Sequence, residues 1–129
     1  MGYVYMTKIL LVEDDPFLID IYMTKLKSEG FDLLSAKDGE EALEKIEKDK
    51  PALIILDIVL PNIDGWQVLK QIKNIKGAEK IKILVLSNLG QKEEVEKGLR
   101  LGADKYLIKS NFTPSQVVAE LKELVKLNI

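Results

Sequence analysis

The sequence predicts an α/β fold: a doubly wound, five-stranded parallel sheet with helices on both faces. Three observations predict it. Short apolar runs alternate with amphipathic stretches about five times along the chain, and strand-then-helix alternation implies parallel pairing through right-handed crossovers. Leu53-Ile54-Ile55-Leu56 is a continuous apolar run between Pro51 and Pro61, as a strand covered on both faces requires. Finally, the runs end in polar groups, and such sheets place their chemistry just beyond the carboxyl ends of the strands. The order 2-1-3-4-5 follows if the first strand lies between the second and third, which brings the ends of strands one and three together at the switch point.

Lys8 to Val12 is the first strand, ending in Glu13-Asp14-Asp15. Asp15-Pro16 opens the first helix, with an acid at the N-cap and proline at the first helical position. Phe17, Ile21 and Leu26 are expected on its buried side, and Gly30 ends it. Phe31 to Ala36, less apolar, is expected as a strand near an edge. Asp38 with Glu41 makes a capping-box-like start for a helix whose stripe is Ala42, Leu43 and Ile46, closed by Pro51. After Asp57, the turn from Pro61 to Gly65 leads into an amphipathic helix, Trp66 to Ile72, with Asp64-Gly65 reading as turn and helix start. Lys73 to Lys80 is polar loop. Ile81 to Leu86 is the fourth strand, ending at Ser87. Gln91 to Leu101 is a charged helix capped by Gly102; Lys92, Glu93, Glu94, Glu96, Lys97 and Arg100 read as its solvated face. Lys105 to Ile108 is the fifth strand, ending at Lys109. Thr113-Pro114-Ser115-Gln116 opens the last helix, with Val117, Val118, Leu121, Leu124 and Val125 on its buried face.

Composition excludes several functions. With 129 residues, 47% apolar and 31% charged, one domain with a proper core is expected. A net charge of −2 offers no basic surface for nucleic acid. The absence of cysteine removes disulfide and thiol chemistry and suits a reducing cytoplasm. The absence of histidine excludes a histidine base, a histidine metal ligand and a phosphohistidine on this chain. No apolar run approaches the ~20 residues of a membrane span. Met1 to Met6 lacks the cationic region of a signal peptide, and Met6 stands where myristoylation wants Ser or Thr. Residues 1–6 are therefore expected to be an extension to a domain of residues 7–129.

The strand ends assemble Glu13, Asp14, Asp57, Ser87 and Lys109. Converging carboxylates repel one another unless a cation lies between them. Oxygen ligands without His or Cys favour Mg²⁺, which accepts one or two carboxylates plus a phosphate oxygen. Lys109 is a point charge suited to a phosphate oxygen or the Asp57 carboxylate, and Ser87 offers a hydroxyl donor. These are parts for stabilising a phosphoryl group in transfer, with Asp57 as the attacking oxygen.

Val12-Glu13-Asp14-Asp15, the stretch from Leu56-Asp57 to Asp64-Gly65, Leu86-Ser87, and Gly102-Ala103-Asp104-Lys105-Tyr106-Leu107-Ile108-Lys109 together resemble the receiver domain of two-component response regulators. The likeness runs from Thr7 to the end. It implies a flavodoxin-like fold and Asp57 as phosphoacceptor from a sensor histidine kinase or histidine phosphotransfer protein. It also implies Mg²⁺ held by Asp14, Asp57 and the Val59 backbone carbonyl, with Glu13 acting mainly through water. Lys109 would pair with the phosphoryl group and Ser87 would hydrogen-bond to it. Tyr106 would be the aromatic whose rotamer follows Ser87 and alters the face made by the fourth helix, fifth strand and fifth helix, read by a downstream target or a fused output domain. Two positions depart from the family. Ser110 replaces the usual proline after the lysine, and a cis bond there would cost ~3 kcal/mol; Asn88 replaces a small residue.

Other functions compete. A constitutive scaffold would not need the intact acids, Ser87 and Lys109. Aspartyl-phosphate phosphatases carry a second Asp where this chain has Val59. A flavin carrier would find its phosphate repelled by Glu13-Asp14-Asp15. The expectation is a signalling domain that catalyses only its own phosphorylation and dephosphorylation, the latter slow because Val59 and Leu89 are apolar.

Overall fold

Strand pairing in the computed structural model, which describes residues 7–126, gives a five-stranded parallel sheet ordered β2-β1-β3-β4-β5. The strands are β1 (Lys8–Val12), β2 (Asp32–Ala36), β3 (Leu53–Leu56), β4 (Lys82–Ser87) and β5 (Lys105–Ile108). The helices between and after them are α1 (Pro16–Ser28), α2 (Gly39–Asp49), α3 (Gly65–Ile72), α4 (Lys92–Arg100) and α5 (Pro114–Lys126). The expected fold and strand order are both present, and β2 is an edge strand. The expected extension, residues 1–6, lies outside the described residues, as do the last three of the expected domain.

Alternation of side chains across the strands makes two cores. Ile9, Leu11, Leu53, Ile55, Leu84, Leu86 and Leu107 face one way, where α1 and α5 cover them with Tyr22, Leu26, Val117, Val118, Leu121, Leu124 and Val125. Leu10, Val12, Ile54, Leu56, Ile83 and Val85 face the other, where they meet Ala42 and Ile46 of α2 and Val68, Leu69 and Ile72 of α3. Both faces of β3 are buried, which is why its sequence is apolar without interruption. In-register pairing places Val12, Leu56, Val85 and Tyr106 on one level across the sheet. Glu13, Asp57, Ser87 and Lys109 therefore come one to three residues later, at the same end.

One expectation for α1 is corrected. Phe17 and Ile21 do not face the core; they are 80% and 41% exposed. The helix begins at Pro16 and turns Leu18, Tyr22, Met23 and Leu26 toward the sheet. Phe17 and Ile21 sit one residue earlier, about 100° around a helix of 3.6 residues per turn. Two apolar stripes were periodic, and the one that continues further is buried.

The helix starts are as the sequence implies. Asp15 accepts from the Phe17 amide at 2.9 Å, so this acid is a cap. Asp38 caps α2 through the Glu41 amide at 2.8 Å, while Glu41 reaches back to the Lys37 amide at 2.7 Å. At α5, Thr113 and Gln116 exchange reciprocal bonds of 2.8 and 3.2 Å. α2 ends in left-handed Lys50, one residue before Pro51.

Candidate functional site

Among the described residues the buried polar or charged side chains are Glu13, Asp57 and Ser87. All three stand at the carboxyl ends of β1, β3 and β4. Burying such groups costs free energy unless they are paired, and Lys109 supplies the pairing. Its ammonium donates to Asp57 Oδ2 at 2.8 Å and to Glu13 Oε1 at 2.7 Å. The other Glu13 oxygen accepts from the Asp14 and Asp15 amides, both at 3.1 Å. Asp57 Oδ1 lies 3.4 Å from the Val59 amide, a long contact that leaves this oxygen available to react.

The electrostatics follow from this crowding. Burial pushes the Glu13 carboxyl above its usual range, against the opposing hydrogen bond from Lys109. Burial also works against the Lys109 charge, but its bonds to Asp57 and Glu13 outweigh that, and its pKa is raised. The lysine is thus held charged between two acids.

Glu13, exposed Asp14 and Asp57 each offer a carboxylate oxygen, and these oxygens lie within 4.8 Å of one another. Hard oxygen donors at that spacing suit a small divalent cation such as Mg²⁺. Because both Glu13 oxygens already have partners, Asp14 and Asp57 are the better placed to ligate directly. Val59, 60% exposed in the turn after β3, stands beside them.

Ser87 is fully buried, and its Oγ accepts from the Leu89 amide at 3.3 Å, keeping its own proton to donate. The Tyr106 hydroxyl donates to the Leu89 carbonyl at 2.6 Å, so Leu89 links the two. Asn88 is exposed and turned from the core. The Lys109–Ser110 bond is trans, and a short 3-10 turn, Lys109–Asn111, carries the chain away. The expected site residues are thus gathered at one end of the sheet, with Tyr106 joined to Ser87 through Leu89.

Sequence reading missed what positions the turn after Asp57. A Cβ on Gly65 would lie 2.5 Å from the Asp57 carbonyl oxygen and from the Ile58 Cα. The Gly65 amide donates to the Ile58 carbonyl at 2.7 Å. Asn62, in left-handed conformation at φ 64°, donates from Nδ2 to Asp38 Oδ2 at 3.0 Å. Asp38 thereby ties the turn to α2 with the oxygen that its cap does not use. The only available signal was an Asp-Gly and an Asn in a turn, which ordinary turn chemistry also explains.

Residues 9–122 match the family described as the response regulator receiver domain. The alkaline phosphatase synthesis transcriptional regulatory protein PhoP of Bacillus subtilis is 40% identical over 121 residues, covering 92% of this chain and 48% of that protein. The chain thus spans about half the length of that relative. Among solved structures, the receiver domain of the Francisella response regulator 1452 superposes with a TM-score of 0.87 at 29% identity, covering 96% of this chain and all of that one. The BeF3-activated receiver domain of Klebsiella pneumoniae RstA gives 0.81 at 30% identity, covering 90% of this chain and 96% of that one. A family match over most of the chain, on a sheet of this order, leads to one conclusion: the chain belongs to the receiver domains of two-component response regulators.

Proposed function

We propose that Asp57 accepts a phosphoryl group from a phosphohistidine on a partner kinase or phosphotransfer protein. The observation that carries the reading is the confinement of buried polar side chains, among the described residues, to Glu13, Asp57 and Ser87, with Lys109 bridging the first and second of these. An Asp57 oxygen forms the new P–O bond as the donor's P–N bond breaks, and the imidazole nitrogen leaves with the electron pair. Lys109 then exchanges part of its bonding to Asp57 and Glu13 for the phosphoryl oxygens, and Ser87 donates its hydroxyl proton to one of them. Asp14, Asp57 and the Val59 carbonyl would hold Mg²⁺, with Glu13 beside them. When bound, the ion neutralises charge that develops on the phosphoryl oxygens. The domain acts on no other substrate.

Phe17 and Ile21 leave apolar surface exposed on α1, which starts two residues after Asp14, and the donor's helices would cover it. The readout face is that of α4, β5 and α5, and the target is a separate protein or an output domain in the same chain. The second alternative is supported by the length of the matched relative, about twice that of this chain.

The test is intact mass after incubation with a small phosphodonor and Mg²⁺. One added phosphoryl group, lost with Asp57→Ala and with chelator, is expected. No mass gain in the unaltered chain overturns the reading in favour of a scaffold. Val59 is apolar and exposed beside Asp57, so the phosphoryl group should hydrolyse slowly; Val59→Asn with Leu89→Glu should speed its loss.

A further inference from the structure

α4 is seated on the rest of the protein by a glycine. Of its nine residues only Gly98 is buried, and its bare Cα receives the ring of Tyr106. A Cβ at Gly98 would lie 2.6 Å from Cδ2 and 2.8 Å from Cε2 of that ring, with Cζ3 of Trp66 at 3.8 Å. The Lys97 ammonium covers the same corner, 4.4 Å from the centroid of the Trp66 ring. Glycine weakens a helix interior relative to alanine. Its presence in a short, charged helix therefore needs a packing reason, and the Tyr106 ring provides one.

We infer that Gly98 is a positioning residue for the switch: its missing Cβ makes the notch that lets Tyr106 lie inward, so that ring and α4 move together. A continuous chain of contacts runs from the site to this notch. Ser87 Oγ accepts from the Leu89 amide, the Leu89 carbonyl accepts from Tyr106, and the Tyr106 ring rests on Gly98. A Ser87 hydroxyl turned toward a phosphoryl group leaves space behind it, which favours the inward ring. A ligand that binds better when the ring is inward must bind more weakly when the notch is filled. The inference rests on the phosphoacceptor reading and extends it to a residue that touches neither Asp57 nor Ser87.

The test uses the full chain, with Mg²⁺ and beryllofluoride as probe and the emission of Trp66, the chain's one tryptophan, as readout. Gly98→Ala is expected to weaken beryllofluoride binding roughly tenfold, by lowering the fraction of molecules with the ring inward. In a Tyr106→Ala background, where the added methyl meets no ring, the same change should leave affinity unaltered. Urea unfolding without Mg²⁺ reads the notch directly. Gly98→Ala should lower the midpoint in the unaltered chain and raise it in the Tyr106→Ala background. Equal affinities for the unaltered and Gly98→Ala chains, or a lowered midpoint that persists without the ring, overturns the inference. If the unaltered chain takes up neither beryllofluoride nor a phosphoryl group, the phosphoacceptor reading fails, and the urea series still decides whether Gly98 seats Tyr106.

Discussion

α3 and α4 flank the same strand, β4, and differ in length by one residue, eight against nine. α3 buries Gly65, Val68, Leu69 and Ile72. α4 buries Gly98 and leaves Leu99 46% exposed. The side that begins at the turn after Asp57 is fastened by aliphatic packing, whereas the opposite side rests on one aromatic ring and a cation over another. Elements that must move are drawn from the weakly held parts of a fold. Chemistry that needs fixed geometry belongs on the strongly held parts.

The largest effect should come from Leu69→Ala, which empties a fully packed site on α3. We expect about 3–4 kcal/mol of lost stability, in the range of such deletions in cores. Val95→Ala, at a half-buried position of the mostly exposed α4, should cost less than about 1 kcal/mol. Urea unfolding monitored by circular dichroism measures both; similar losses would erase the contrast between the helices.

Gly65→Ala comes next. Its Cβ would meet backbone of Asp57 and Ile58, just past the end of β3, which has no rotamer to yield. The overpacking should cost about 2–3 kcal/mol, and uptake of phosphoryl from a small donor should fall with it. At Gly98 the obstructing atoms belong to a side chain that can rotate. One substitution at two glycines thus separates a fixed turn from a movable seat, and mass spectrometry of the phosphorylated variants reads the difference.

Lys97→Ala should have a smaller effect. The ammonium over Trp66 is worth roughly 0.5–1 kcal/mol at a partly exposed site. Its loss should loosen α4 while leaving the buried Val68, Leu69 and Ile72 of α3 in place, seen as a shift in Trp66 emission with little change in the urea midpoint.

The contrast was only half legible in the sequence. The strand ends declared themselves because burying Glu13, Asp57 and Ser87 makes no sense unless they converge, and apolar β3 placed Asp57 at the switch point. The α3 stripe was equally plain. By contrast, the charges of α4 disclosed a solvated face but not how little lay behind it, and Gly98 resembled any weak point in a helix. Its meaning depends on Tyr106, eight residues later on a neighbouring strand, and no local pattern reports a ring lying on a Cα. Phe17 and Ile21 failed for a related reason: periodicity finds stripes but not which one the sheet receives.

The smallest effect separates the two helices by pH. Burial pushes the Tyr106 phenol above its ordinary value, and the nearby Glu94 carboxylate on α4 pushes in the same direction. A raised pKa means the folded protein holds this proton more tightly than the unfolded chain does. The associated stability is whole below the ordinary phenol value of about 10 and is lost as pH climbs through the higher folded value. Ionised Tyr106 cannot donate to the Leu89 carbonyl, so the tie between ring and loop goes with the proton. Val68, Leu69 and Ile72 on α3 carry no group that titrates there. Trp66 emission should therefore shift together with the ultraviolet absorbance of the phenolate, while far-ultraviolet circular dichroism holds until higher pH. Tyr106→Phe should abolish that early step; if the step survives in this variant, another group loosens α4, and the seat is not what distinguishes the two helices.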